Sequence, residues 1–241
     1  MINVLLLLRQ WIFIFYVAIL TFILGSLNVI FLAIRMPFSV RIFIGRLWSY
    51  LARIGMFLIL WLRVKVTGKE NIPDFPCILL SKHQSPWETF VLPSLGPKSC
   101  FVLKKELLSI PWFGWGLRSV ESIAIDRSQS MKALKHVIAQ GKDRLNRGIS
   151  ITVFPEGTRV LPGKHPKFHK SALSLAKMTR STIIPIAHNA GSFWPARGGL
   201  IKPGTITLII GKPIDSKDLS MDELADQTYQ WMSDEMKKIE H

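Results

Sequence analysis

Two short stretches of this chain could do chemistry together. In Lys82-His83-Gln84-Ser85-Pro86-Trp87-Glu88 a histidine precedes a glutamate by five positions, and about seventy residues later comes Phe154-Pro155-Glu156-Gly157-Thr158-Arg159. A neutral imidazole can take the proton of an attacking hydroxyl, and a carboxylate on its other nitrogen fixes the tautomer and stabilises the imidazolium that forms. A glycine allows a tight turn and close backbone approach, and the guanidinium that ends the turn can hold the oxygens of an anion in a forked geometry. The pairing points to hydroxyl activation beside an anion site.

The spacing dictates how these residues must be carried. Residues five apart on one helix point about 140° away from each other, so His83 has to precede the helix that holds Glu88. Ser85 as N-cap and Pro86 at the first helical position would put His83 in a strand-to-helix loop and Glu88 in the first turn. The same residues also form a capping box, in which Glu88 satisfies a backbone N–H, and one carboxylate could serve both ends. Residues 77–80 read as a buried strand delivering His83, and the strand at 149–153 runs directly into the Phe154 stretch. Further short apolar runs at 101–103, 122–125, 183–186 and 206–210 repeat that form. Helix-compatible spacing covers 128–147 and 169–178, and an amphipathic closing helix with an acidic face covers 221–238. The domain therefore reads as α/β, a mixed central sheet flanked by helices with its site at strand ends.

Ahead of it lies a different kind of sequence. From Gln10 to Ile34 no side chain is charged at neutral pH, and 25 helical residues would extend roughly 37 Å, enough for a hydrocarbon core of about 30 Å. The run is too long for a signal peptide and lacks a cleavage pattern. After Pro37 a second apolar stretch, 38–62, contains Arg41, Arg46 and Arg53, the last two on one helical face. Residues 1–66 thus read as a helical hairpin, inserted in one leaflet or spanning, with arginines expected at anionic head groups; residues 67–241 read as the catalytic domain. The net charge of +15 is distributed as +7 over residues 1–70, +13 over 71–214 and −5 thereafter. Positive charge interleaved with aliphatic runs favours an anionic lipid surface or substrate and argues against nucleic acid. Cys77 and Cys100 form no framework or metal pattern, and Pro166 spoils the helix that a zinc pair of His165 and His169 would need.

His-x4-Glu resembles the His-x4-Asp signature of the glycerolipid acyltransferases, and Phe-Pro-Glu-Gly-Thr-Arg resembles that family's phosphate-contacting motif. The order and separation match over roughly residues 70 to 215. The resemblance implies a 1-acyl-glycerol-3-phosphate acyltransferase, with His83 as base, Glu88 orienting it, and Glu156, Gly157 and Arg159 placing the acceptor phosphate. Lys105 and Arg127, in a block from Lys104 to Arg127, and Lys170 are further phosphate ligands by the same carry-over. The block at Ile184-Pro185-Ile186 would shape an acyl pocket. Two departures stand out: glutamate replaces aspartate at 88, and Glu121 and Ala172 stand near positions where the family favours glycine. The implied donor is acyl carrier protein or a coenzyme A thioester, with no cofactor and no metal, and the implied place is the cytoplasmic face of a bacterial inner membrane. Another lysophospholipid or amino-lipid as acceptor, and a non-catalytic lipid-binding scaffold, remain open.

Overall fold

Central strands of a parallel sheet have no solvated face and are apolar throughout. In the computed structural model, which describes residues 2–126 and 130–240, strand β2 (Ile78–Ser81) is buried at every position. It lies between β5 (Ser150–Val153) and β6 (Ile183–His188), both parallel to it. Outside β5 come β3 (Ser99–Lys104) and β4 (Ile123–Ile125), again parallel. Outside β6 comes β7 (Gly204–Ile210), antiparallel, and then β1 (Leu62–Thr67), parallel to β7. Among the described residues this gives one seven-stranded mixed sheet in the order β1-β7-β6-β2-β5-β3-β4.

Six strands fall on the expected apolar runs. The seventh, β1, begins before the expected domain boundary at residue 66. Its exposed Arg63 and Lys65 alternate with half-buried Val64 and Val66, the pattern of a one-sided edge strand.

Alternation along β2 divides the core in two. Leu79 faces helices α1 (Ile2–Ala33), α2 (Phe38–Leu60) and α3 (Trp87–Leu95), meeting the layer of Phe13, Met56, Leu60, Trp87 and Val91. Ile78 and Leu80 face the opposite layer, where α5 (Ser130–Asn146), α6 (Lys170–Thr179) and α8 (Met221–Ile239) contribute Val137, Leu173 and Leu224. Each fully buried side chain of this kind stabilises the fold by about 1.5–3 kcal/mol. Short helices α4 (Phe113–Ser119) and α7 (Ala190–Phe193) complete the chain order. The apolar hairpin therefore supplies one wall of the catalytic core.

Its two helices pack closely because Gly55 has no side chain: a Cβ there would lie 2.4 Å from Tyr16 Cε1. The Tyr16 hydroxyl donates to the Leu51 carbonyl at 2.9 Å. The arginines of α2 do not all turn to head groups, contrary to the expectation from their spacing. Arg41 is buried; it donates to the carbonyls of Ser119 and Met36 and to Glu121 Oε1. Arg53 donates to Ser94 Oγ at 3.1 Å. A guanidinium this close to a folded domain gains fixed acceptors there. Glu121 has φ +59°, in the left-handed region, and its carboxylate gathers Arg41, Arg144 and Arg147. On the other side of the hairpin Trp11, Phe15, Phe22, Ile23, Phe43, Phe57 and Leu58 are exposed. Both helices are long and apolar enough to cross a membrane, and this uncovered surface fits membrane association.

Candidate active site

β2 ends at Ser81, and the Lys82 N–H continues the ladder by donating to the Ile186 carbonyl at 2.9 Å. His83 follows at the rim, its side chain 18% exposed. The chain then turns into α3, one residue later than the expected start. Ser85 Oγ accepts the Trp87 N–H at 3.2 Å, but the N-cap position falls on Pro86 and not on Ser85 as expected.

Glu88 is fully buried and does both jobs its position allows. Oε1 accepts the N–H groups of Gln84 and Ser85 at 2.8 and 2.7 Å, and Oε2 lies 3.2 Å from His83 Nδ1. Burial alone would raise its carboxyl; the hydrogen bond from His83, the nearby imidazoles of His188 and His83 and the Gln84 N–H outweigh it and hold the group below its ordinary value. An ionised carboxylate only accepts, so Nδ1 of His83 carries a proton, and in the neutral ring Nε2 keeps its lone pair.

The second motif holds the first. Glu156 Oε2 accepts the His83 N–H at 2.8 Å, and the Val160 N–H donates to the His83 carbonyl at 2.8 Å. The Phe154 ring stacks on the imidazole with centroids 4.1 Å apart and planes 20° apart. Glu156 Oε1 forms an ion pair with the buried ammonium of Lys82. Both oxygens of Glu156 are thus engaged inside the protein, on Lys82 and on the His83 N–H. Burial pushes its carboxyl up, with Lys82 and the His83 N–H opposing. Gly157 turns the chain at φ +68°, a backbone that leaves Thr158 and Arg159 exposed.

The basic residues separate by environment. Arg159 has no hydrogen-bond or ion-pair partner among the described residues. Lys105 pairs with Asp126 and Lys170 with Asp222, both pairs exposed at the surface. Arg127 lies outside the described residues. Lys82 and Phe154 stand inside the two motifs and His188 outside them, and a buried lysine and a ring next to a base are visible only once the fold joins them.

An apolar pocket opens between the hairpin, α3, α4 and the start of β3. Leu24, Ile42, Trp48, Phe101, Phe113 and Leu117 are among its walls. Phe101 also stacks on Phe154, centroids 6.1 Å apart, so two rings connect the cavity to His83. The arrangement offers an open basic nitrogen, a free arginine on the adjoining loop, and an apolar space built partly by the membrane-type helices.

A family model described as Acyltransferase matches residues 63–189. The 1-acyl-sn-glycerol-3-phosphate acyltransferase of Pseudomonas aeruginosa is 40% identical over 90% of this chain and 86% of its own length. The Saccharomyces cerevisiae protein of the same name is 32% identical over 76% of this chain and 63% of its own. The crystal structure of the 1-acyl-sn-glycerophosphate (LPA) acyltransferase PlsC from Thermotoga maritima superposes with a TM-score of 0.83 at 25% identity, covering 99% of this chain and 98% of that one. With motif, fold and relatives in agreement, this chain belongs to the acyltransferase family, on the branch of the 1-acyl-sn-glycerol-3-phosphate acyltransferases.

Proposed function

We propose that this enzyme moves a fatty acyl group from a thioester to the sn-2 hydroxyl of 1-acyl-sn-glycerol-3-phosphate, forming phosphatidate. The observation that carries the chemistry is the His83–Glu88 contact at 3.2 Å, which leaves Nε2 of His83 as the open base. Nε2 takes the hydroxyl proton as the oxygen attacks the thioester carbonyl, and the imidazolium faces the ionised Glu88. Collapse of the tetrahedral intermediate breaks the carbon–sulfur bond, and the proton returns to the departing sulfur. Attack is direct: the free thiols Cys77 and Cys100 are buried, with burial raising them to about 11 and about 12, away from the range of a nucleophilic thiolate.

Arg159 receives the acceptor phosphate, and the apolar cavity takes an acyl chain. The donor is an acyl carrier protein or coenzyme A thioester, consumed as substrate. The hairpin lies in the cytoplasmic leaflet of a bacterial inner membrane and keeps the site at the bilayer, where its uncovered aromatic and aliphatic side chains are solvated by lipid.

Purified enzyme given lysophosphatidate and each thioester in turn tests the assignment. Phosphatidate should accumulate with at least one donor; free fatty acid without acylated acceptor would make the protein a hydrolase. A panel of other lysolipids, turned over faster than lysophosphatidate, would move the acceptor assignment.

A further inference from the structure

His188 ends β6 and is completely buried, beyond reach of any substrate. Its place follows from sheet register: Leu80 and Ser81 pair with Pro185 and Ile186, so the residue after Ala187 comes alongside the loop that leaves β2. Nε2 lies 2.9 Å from the Lys82 carbonyl, and Nδ1 lies 3.3 Å from the Ala190 N–H. A carbonyl can only accept and an amide N–H can only donate, so the ring is the tautomer with its proton on Nε2. The same Nε2 stands 3.4 Å from Glu88 Oε1, on the opposite side of the carboxylate from His83. Trp87 packs against the ring, with centroids 5.2 Å apart. Burial holds the imidazole below its ordinary value, in agreement with a neutral ring.

Glu88 is thus flanked by two imidazoles, one open to the site and one sealed behind it. The Glu88 carboxylate meets the N–H groups of Gln84 and Ser85, His83 and the neighbourhood of His188 at once. We propose that His188 is a positioning residue for acyl transfer, a neutral imidazole that ties the Lys82 carbonyl to the back of Glu88 and so fixes the carboxylate that orients His83. The inference rests on His83 being the base. Without His188 the Lys82 carbonyl loses a buried donor and Glu88 can shift away from His83, a displacement felt in turnover.

The test uses the full-length enzyme with lysophosphatidate and an acyl thioester. His188→Leu should lower kcat by about tenfold to a hundredfold with KM for both substrates within about twofold of wild type. His188→Gln, whose amide can still donate to the Lys82 carbonyl, should recover much of that loss. In a Glu88→Asp background the His188→Leu effect should shrink, because the shorter carboxylate no longer uses the contact. A kcat for His188→Leu within twofold of wild type, or a glutamine variant no better than leucine, overturns the proposal. If the leucine variant fails to fold, imidazole nitrogen NMR of the wild-type protein decides: a neutral His188 protonated at Nε2 supports it, and protonation at Nδ1 overturns it. Failure of the base assignment is separable, since His83→Ala would then retain turnover whatever His188 does.

Discussion

Around His83 the carboxylates are buried and each oxygen has a named donor, whereas the two lysines expected to hold phosphate lie at the surface, Lys105 paired with Asp126 and Lys170 with Asp222. The two regions carry charge for different ends. Desolvation makes every missing partner in the buried set costly, so Glu88 and Glu156 act as fixed parts that leave His83 one geometry. Lys105 and Lys170 sit in water, where an ion pair is worth about 0–1 kcal/mol and can be exchanged for a phosphate or a lipid head group at little cost. Arg159 belongs to neither set: its loop is fastened by Val160 and Glu156, but its guanidinium has no protein partner among the described residues.

Substitutions should reproduce that division. His83→Ala removes the base and should lower kcat by about a thousandfold or more with the melting temperature near wild type, measured by phosphatidate formation and thermal unfolding. Glu88→Gln keeps an acceptor for the loop N–H groups but loses the charge facing the imidazolium, and a kcat loss of roughly tenfold to a hundredfold is expected. Arg159→Ala should act mainly on KM for lysophosphatidate, by about tenfold or more, and a lysine at 159 should restore only part because the forked geometry is gone. Lys105→Ala and Lys170→Ala should each stay within about threefold of wild type in kcat/KM. A large loss at either lysine would erase the distinction between buried framework and exchangeable surface.

Within the buried set the two carboxylates differ in the pH dependence of stability. Glu88 is held below its unfolded value of about 4.3, so its contribution is full above that value and is lost as pH falls through the folded one. Melting curves of wild type and Glu88→Gln should therefore differ at neutral pH and converge in acid. Glu156, raised by burial, has the opposite sign: ionising it in the folded state costs stability, and that cost disappears as the carboxyl takes up a proton on acidification through the raised value.

Much of the frame was legible in the residues. Unbroken apolar runs marked the inner strands, and the histidine-to-glutamate spacing required a loop before a helix, which the chain adopts. Less legible was the direction a polar side chain takes. Arg41 has the spacing of an interfacial arginine yet turns inward, because the Ser119 carbonyl and Glu121, some eighty positions away, meet it there. Glu156 stands in a phosphate motif yet spends both oxygens on Lys82 and His83. Nothing local marks His188; only the β2–β6 register shows that its partners are the loop and carboxylate of the base. Local pattern carries periodicity and caps, while these contacts join elements 73 to 106 positions apart.

The central claim is that the open Nε2 of His83 removes the proton of the acceptor hydroxyl. The most direct measurement is steady-state acyl transfer to lysophosphatidate by folded His83→Ala enzyme beside wild type, with phosphatidate and free fatty acid quantified in the same reaction. Phosphatidate from wild type and turnover at least about a thousandfold lower from the variant is the predicted result. Phosphatidate formation by the variant within about tenfold of wild type would contradict it.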